Sequence, residues 1–133
     1  IRVLGTRTDG KPWRIGIRHP REEEKILAVV PLSEGAIVTS GDYERMFEQK
    51  GQRYHHILDP HTGYPAGQLI SVTVIAPTAT EADALSTAVF VLGPEQGLKL
   101  IESLPGIEAV LVTPRMEIII SSGLQGKVEL PGD

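Results

Sequence analysis

Hydrophobic and polar residues alternate along the first half of the chain in a pattern that predicts β-strands. The stretch "PWRIGIRHP" places Trp13, Ile15 and Ile17 on one side, with arginine or glycine between them. This two-residue period is typical of a strand with one buried face. The runs "IRVLG", "KILAVVPL", "GAIVTSG" and "LISVTVIA" predict further strands, and "YERMFEQKGQRYHHIL" predicts a hairpin that turns near Lys50-Gly51.

The apolar period changes to that of a helix after residue 77. Thr78 with Glu81 three residues later is the signature of a capping box, and the Gly-Pro pair at 93–94 predicts the end of this helix. The residues expected to face the core are Ala84, Leu85, Ala88, Val89 and Leu92. Pro94 can begin a second helix that runs to about Leu104, before the turn at 105–106.

The last apolar runs, "IEAVLVT" and "MEIIISSG", predict a closing β-hairpin around residues 114–115. This order of elements predicts an α+β fold with a mostly antiparallel sheet and two helices packed on one face. We expect residues 1–133 to form a single domain. Because the chain begins at Ile1 within a predicted strand, we also expect that an N-terminal portion is missing.

The composition of the chain argues against several classes of function. The chain has 133 residues, of which 41% are hydrophobic and 23% charged, as in an ordinary globular domain. A formal charge of −4 argues against nucleic acid as a partner, and the absence of cysteine excludes disulfides and thiolate zinc sites. We interpret the small basic cluster of Arg14, Arg18 and Arg21 around His19 as solvated surface. No apolar stretch approaches the roughly 20 residues that span a bilayer.

Two polar residues on the first helix could bind a metal ion. Asp83 and Thr87 are four residues apart, so their side chains lie one turn from each other, away from the predicted apolar stripe. A carboxylate and a hydroxyl are oxygen ligands that suit Mg²⁺. The alternative is an acidic residue favoured by the helix dipole beside an unrelated threonine, and spacing alone favours that alternative.

The stretch "YHHILDPHTGYP", residues 54–65, is the densest group of reactive side chains. His55 and His56 are neighbours on a predicted strand and point to opposite faces, which argues against a shared zinc ion and leaves one of them facing solvent without a role. The turn that follows, with Thr62 and Gly63, could bind an anion through free backbone amides, or could simply reverse the chain. The strand end "TSGDY" could likewise admit a ligand close to Gly41, or be a plain turn.

Taken together and in this order, four segments resemble the C-terminal part of the FAD:protein FMN transferases, the ApbE family. They are "TSGDYERMF", "RYHHILDPHTGYP", "SVTVIAPTATEADALSTAVFVLG" and the closing strands. The resemblance implies Mg²⁺-dependent transfer of FMN from the substrate FAD to a Thr or Ser hydroxyl of a target flavoprotein, with release of AMP. It also implies a bacterial protein on the periplasmic or extracytoplasmic side of the inner membrane, in some members lipid-anchored through the N-terminal portion.

The resemblance also implies roles for individual residues. Asp83 and Thr87 match the side-chain ligands of Mg²⁺, and His56 matches the motif histidine, a candidate general base. His55 falls where the family tolerates other residues. The segments that would line the flavin or its phosphates contain Ser40, Gly41, Asp59, Pro60, Thr62 and Gly63.

The sequence departs from the family pattern in one respect, and three alternative functions remain open. The family's upstream glycine-rich stretch and main-chain Mg²⁺ ligand have no counterpart in this sequence, so the ion is under-coordinated by Asp83 and Thr87 alone. The alternative functions are a flavin-binding module or an FAD pyrophosphatase without transferase activity. A structural domain that keeps only traces of these motifs is a third hypothesis.

Overall fold

The computed structural model describes residues 1–130, so the last three residues of the predicted domain, 131–133, lie outside the described residues. A five-stranded sheet has the order β1-β4-β7-β8-β9, and all of its pairings are antiparallel. Two further antiparallel pairs, β2–β3 and β5–β6, lie outside it. The strands are β1 (Arg2–Val3), β2 (Trp13–Arg18), β3 (Ile26–Leu32), β4 (Gly35–Gly41), β5 (Met46–Gln49), β6 (Gln52–His55), β7 (Ser71–Ala76), β8 (Glu108–Val112) and β9 (Ile118–Ile120).

The helical region differs from the prediction of two helices. The described residues contain a single α-helix, α1 (Ala79–Ser103), followed much later by a short 3-10 turn at Ser122–Leu124. Gly93, with φ 80° and ψ 178°, leaves the helical conformation, and Pro94 follows it. The Gly-Pro pair therefore kinks the helix without ending it, because Pro94 begins a new helical turn directly and the chain never leaves the sheet surface. The predicted α+β class and antiparallel sheet are confirmed; the number of helices was wrong.

Two hydrophobic clusters cover the two faces of the sheet. One contains helix residues such as Val89 and Phe90 with Val72 and Val74 of β7. The other contains residues of β2 and β3 with Ile75 of β7 and alternate residues of β8. Successive strand residues point to opposite faces, so helix α1 covers one face and the β2–β3 pair covers the other. Every residue of the central strand β7 is therefore buried.

The buried side of helix α1 is also rotated from the predicted one. Ala84 and Leu92 are exposed, whereas Ala82 and Ser86 are fully buried. A serine can occupy this core position because its hydroxyl is satisfied: Ser86 Oγ donates to the carbonyl of Asp83 at 2.9 Å. The capping box is present, with Thr78 Oγ1 accepting from the amide of Glu81 at 3.2 Å.

The hairpin predicted near Lys50-Gly51 is confirmed as β5–β6. Both turn residues have positive φ, 51° and 75°, as a two-residue hairpin turn requires. All four residues of β5 are exposed, so this hairpin projects from the sheet. It leads through His55 into a loop of residues 56–66, the histidine loop, which returns the chain to β7.

Candidate active site

The two candidate metal ligands, Asp83 and Thr87, lie where strand β4 meets the first half of helix α1. Ser40, near the end of β4, is 2.8 Å from the hydroxyl of Ser86 and 3.3 Å from that of Thr87. Thr87 Oγ1 also donates a weak hydrogen bond of 3.4 Å to the carbonyl of Asp83. Asp83 and Thr87 are exposed, and among residues 1–130 the Asp83 carboxylate has no hydrogen bond or ion pair. The carboxylate and the loosely held Thr87 hydroxyl are thus both free to bind a cation.

The chemistry of these donors fits Mg²⁺ but does not complete its shell. All three accessible groups, from Asp83, Thr87 and Ser40, are oxygens, the donors that Mg²⁺ prefers. Within residues 1–130, however, no group of three or more His, Cys, Asp or Glu side chains could hold a metal by itself. An octahedral ion bound here would need further oxygens from water, substrate or another part of the protein.

Gly41 has a structural explanation that differs from the predicted close approach of a ligand. A Cβ at this position would lie 2.4 Å from the ring of Tyr43, so the ring packs directly on the glycine backbone. Burial raises the pKa of the Tyr43 phenol, which keeps it protonated. In the described conformation, the absence of a side chain at Gly41 leaves room for the Tyr43 ring.

The two adjacent histidines have opposite environments, as their strand positions predict. His55 is buried and His56 is exposed. The backbone amide of His56 donates to the carbonyl of Arg45 at 3.1 Å, and Nδ1 of its ring is 3.4 Å from the same oxygen. A carbonyl only accepts, so this contact favours a proton on Nδ1 and leaves Nε2 with a free lone pair. His56 is therefore able to accept a proton through Nε2.

An apolar surface surrounds the His56 ring. It consists of side chains from the β5–β6 hairpin and the start of the histidine loop, of which Met46, Phe47 and Leu58 are exposed. Phe47 and Tyr54 stack with ring centroids 5.2 Å apart. A flat apolar surface beside a proton acceptor suits an aromatic or aliphatic group of a bound molecule.

The polar groups of the histidine loop hydrogen-bond to one another. The carbonyl of Asp59 accepts from the amides of Thr62, at 3.2 Å, and Gly63, at 2.8 Å. The Asp59 carboxylate accepts from the amide of His61 at 2.8 Å, and Thr62 Oγ1 accepts from that of Tyr64 at 3.2 Å. Gly63 has φ 72°, a conformation that favours glycine. These amides are already used, so the free amides that the anion-site hypothesis required are not present in this conformation.

Two residues near the site, Asp42 and Ser86, were not singled out from the sequence, and His55 was noted there but assigned no role. Asp42 is buried, although it lies in an otherwise polar turn, and both of its carboxylate oxygens accept from Arg21 at 2.7 Å. Arg53 approaches the same carboxylate at 3.5 Å. The pKa of Arg21 is raised by its hydrogen bonds to Asp42. Arg21 is exposed, as predicted, and it is in addition an ion-pair partner of Asp42.

His55 forms the innermost contact of the site. Its pKa is lowered chiefly by burial, which the contact with the Ala66 carbonyl partly opposes. Its ring meets that of Phe90 edge-on, at 5.5 Å between centroids. Phe90 lies three residues after Thr87, so the histidine segment packs on helix α1 about one turn beyond the metal-ligand pair. No local sequence pattern links residues 55 and 90 or 21 and 42, so these contacts could not be predicted from spacing.

Comparison with known proteins supports the family that the sequence motifs resemble. The model of the ApbE family matches residues 1–111. A protein of Treponema pallidum named FAD:protein FMN transferase is 44% identical over 120 residues, which cover 89% of this chain and 33% of the relative. The Escherichia coli K12 protein of the same name is 42% identical over 111 residues, covering 82% and 31%.

Solved structures agree with this result. The ApbE protein of Thermotoga maritima superimposes with a TM-score of 0.84 at 43% identity, covering 95% of this chain and 41% of that one. The flavin transferase ApbE of Vibrio cholerae has a TM-score of 0.75 at 34% identity, covering 93% and 40%. The chain spans about a third of the length of the curated relatives it matches. By family model, sequence and structure, the chain belongs to the ApbE family.

Proposed function

We propose that the protein containing this chain transfers FMN from FAD to a threonine or serine hydroxyl of a target flavoprotein, with Mg²⁺, and releases AMP. The relatives reported above carry the name FAD:protein FMN transferase, and this chain corresponds to about a third of each. The remaining ligands and the rest of the FAD site would come from the portion of the protein that those relatives have in addition.

One observation carries this proposal: the candidate metal ligands and the histidine segment lie along the same stretch of helix α1. Asp83 and Thr87 occupy its first turns, and Phe90 contacts His55 immediately beyond them. The helix thus relates the candidate metal ligands to the base of the segment that carries His56, and phosphoryl-group transfer requires such positioning of a cation and a proton acceptor.

In the proposed reaction, the acceptor hydroxyl oxygen forms a bond to the FMN-side phosphorus of FAD. The bond from that phosphorus to the bridging oxygen breaks, and AMP leaves with this oxygen. Asp83 and Thr87 would hold Mg²⁺, which would neutralise charge on the pyrophosphate oxygens. His56 Nε2, which the contact of Nδ1 with Arg45 leaves free, takes the proton of the acceptor hydroxyl.

The remaining predicted residues would shape the flavin side of the site. Ser40 and Gly41 end strand β4 next to Thr87, and Asp59, Pro60, Thr62 and Gly63 form the tip of the histidine loop. Because the loop amides are already hydrogen-bonded, we propose that the loop contacts the flavin through its side chains and its shape. The apolar surface beside His56 would receive the flavin ring or the acceptor segment.

The reaction class can be tested by mass spectrometry on the full-length protein. After incubation with FAD, Mg²⁺ and a threonine-containing acceptor protein, we expect the acceptor to gain the mass of FMN minus water, with one AMP per transfer. AMP without a mass gain would identify an FAD pyrophosphatase. Tight FAD binding without AMP would identify a flavin-binding module, and either result would overturn the transferase.

We also propose an extracytoplasmic location on a bacterial inner membrane, with any lipid anchor outside this chain. The helix of the described residues is not long and apolar enough to cross a membrane. We expect protease added to spheroplasts to digest the protein while a cytoplasmic marker stays intact. Protection equal to that of the marker would contradict this location.

A further inference from the structure

We propose that His55 is a positioning residue that closes the base of the histidine loop and so fixes His56 relative to helix α1. The catalytic part of this inference rests on the proposed function. Its structural part rests only on the contacts of the His55 ring.

The His55 ring completes the hydrogen bonding of the two residues that open and close the loop. The amide of Ala66 donates to the carbonyl of Ile57 at 3.0 Å, which joins the two arms. His55 Nε2 is 3.0 Å from the carbonyl of Ala66, and His55 Nδ1 accepts from the amide of Ile57 at 3.3 Å. Both Ile57 and Ala66 are buried, so without the ring a carbonyl and an amide would remain unpaired away from water.

These contacts require one tautomer of a neutral imidazole. A backbone carbonyl only accepts and a backbone amide only donates, so Nε2 must carry the proton and Nδ1 must carry the lone pair. His56, by contrast, is exposed, and its ring has only a weak contact of 3.4 Å between Nδ1 and the Arg45 carbonyl. The two neighbouring imidazoles therefore differ in how firmly the fold holds them. His55 uses both nitrogens inside the fold, whereas His56 keeps one free.

The ring also connects the loop to the helix. Its edge-on contact with Phe90, which is fully buried, anchors the base of the loop about one turn from Thr87. Displacement of this base would move His56 with respect to the candidate metal ligands. A shift of about 1 Å in a reacting group can reduce the rate of an enzyme about 100-fold.

Two substitutions separate the two hydrogen bonds. In His55→Gln the amide nitrogen can replace Nε2 and donate to Ala66, whereas in His55→Asn the amide oxygen can replace Nδ1 and accept from Ile57. Burial and the shorter contact make the Nε2 bond the more important one. We expect the amides of the loop, at Gly63 and Ala66, to exchange with deuterium at least about tenfold faster in His55→Asn, and less than about threefold faster in His55→Gln.

The tautomer can be read directly. In the full-length protein labelled with ¹⁵N-histidine, the ring signal that disappears in both variants belongs to His55, and we expect it to show a protonated Nε2 at pH 7.5. A protonated Nδ1, or loop exchange in His55→Asn equal to that of the wild type, would overturn the proposal.

The catalytic consequence is tested by kinetics at a temperature where every variant is folded. We expect kcat for FMN transfer to fall about 10- to 100-fold in His55→Asn, with the KM for FAD nearly unchanged and with substantial recovery in His55→Gln. Ile107→Val, which lies in the same core cluster but away from the loop, is the control for a loss of stability alone. If kcat falls equally in Ile107→Val, the role of His55 is only structural. If the wild type transfers no FMN, the proposed function fails, while the ring signal and the loop exchange still decide whether His55 closes the loop.

Discussion

At the residue scale, Asp83 offers two kinds of oxygen, a side-chain carboxylate and a backbone carbonyl. Asp83 contributes the only carboxylate of the candidate set, while its backbone carbonyl accepts from Ser86 and more weakly from Thr87. These two roles belong to different atoms. A substitution that removes the carboxylate therefore leaves the local backbone bonding of the helix in place.

For this reason we expect Asp83→Ala to lower Mg²⁺-dependent FMN transfer by about 100-fold or more while the thermal midpoint stays close to that of the wild type. Glu95→Ala is the matched control, because Glu95 is an exposed acid on the same helix beyond the kink. AMP formation from FAD over a Mg²⁺ titration measures both. Transfer by Asp83→Ala at the wild-type rate would show that the metal ligand is misassigned.

The proposed base can be tested against a neighbour of the same chemistry. His61 is also an exposed imidazole of the histidine loop, and only its backbone amide is hydrogen-bonded among the described residues. We expect His56→Ala to reduce kcat about 100-fold or more, and His61→Ala to change it less than about threefold. Single-turnover transfer to the acceptor protein gives both values. Equal losses in the two variants would mean that His56 is not the base.

At the scale of secondary structure, the kink in helix α1 separates its site-bearing half from its second half. Gly93 combines φ 80° with ψ 178°, a conformation that is essentially restricted to glycine. A Cβ there would lie 2.7 Å from Oε1 of Gln68, which follows the histidine loop. The kink therefore lets the segment before β7 pass close to the helix.

We expect Gly93→Ala to lower the free energy of unfolding by about 3 kcal/mol, because alanine is strained in this backbone conformation. Gly51→Ala provides the comparison, because Gly51 has φ +75° and a Cβ added there would meet nothing within 4 Å. That variant carries only the strain of a left-handed backbone conformation, so its free energy of unfolding should fall by about 1 kcal/mol. Urea unfolding measures both losses, and equal losses would mean that the conformation of Gly93 is no more restrictive for alanine than that of Gly51.

The elements differ in how far they could be predicted. The strands and both hairpins depend on alternation and on turn residues such as Lys50-Gly51, which act locally. Gly-Pro signals a break, but whether the chain departs or continues depends on packing against the sheet, and here it continues. Likewise, the hydroxyl of the buried Ser86 contacts that of Ser40, which is 46 residues away and which no helical period reveals.

At the scale of the whole molecule, Asp42 joins parts of the chain that the sheet does not connect. Its partner Arg21 follows strand β2, which covers one face of the sheet, and its second neighbour Arg53 lies in the projecting hairpin. The side chain of Asp42 is only 9% exposed and that of Arg21 35%. A carboxylate withdrawn from water to this extent is favourable only while its cationic partners remain.

The pair of Arg14 and Glu129 provides a contrast in the same protein, since its side chains are 56% and 52% exposed. Removing one partner of a buried pair leaves the other charge uncompensated, whereas exposed pairs contribute about 1 kcal/mol or less. We therefore expect Asp42→Asn to lower the free energy of unfolding by about 3 kcal/mol, and Glu129→Gln by less than about 1 kcal/mol. Urea unfolding at low and high salt measures the loss of stability in both variants. Only the loss in Glu129→Gln should shrink markedly as the salt concentration rises. A similar small loss in both variants would mean that Asp42 does not hold the hairpin and the β2–β3 layer together. In that case the orientation of the histidine loop would depend on its own hydrogen bonds and on the His55 contact with helix α1.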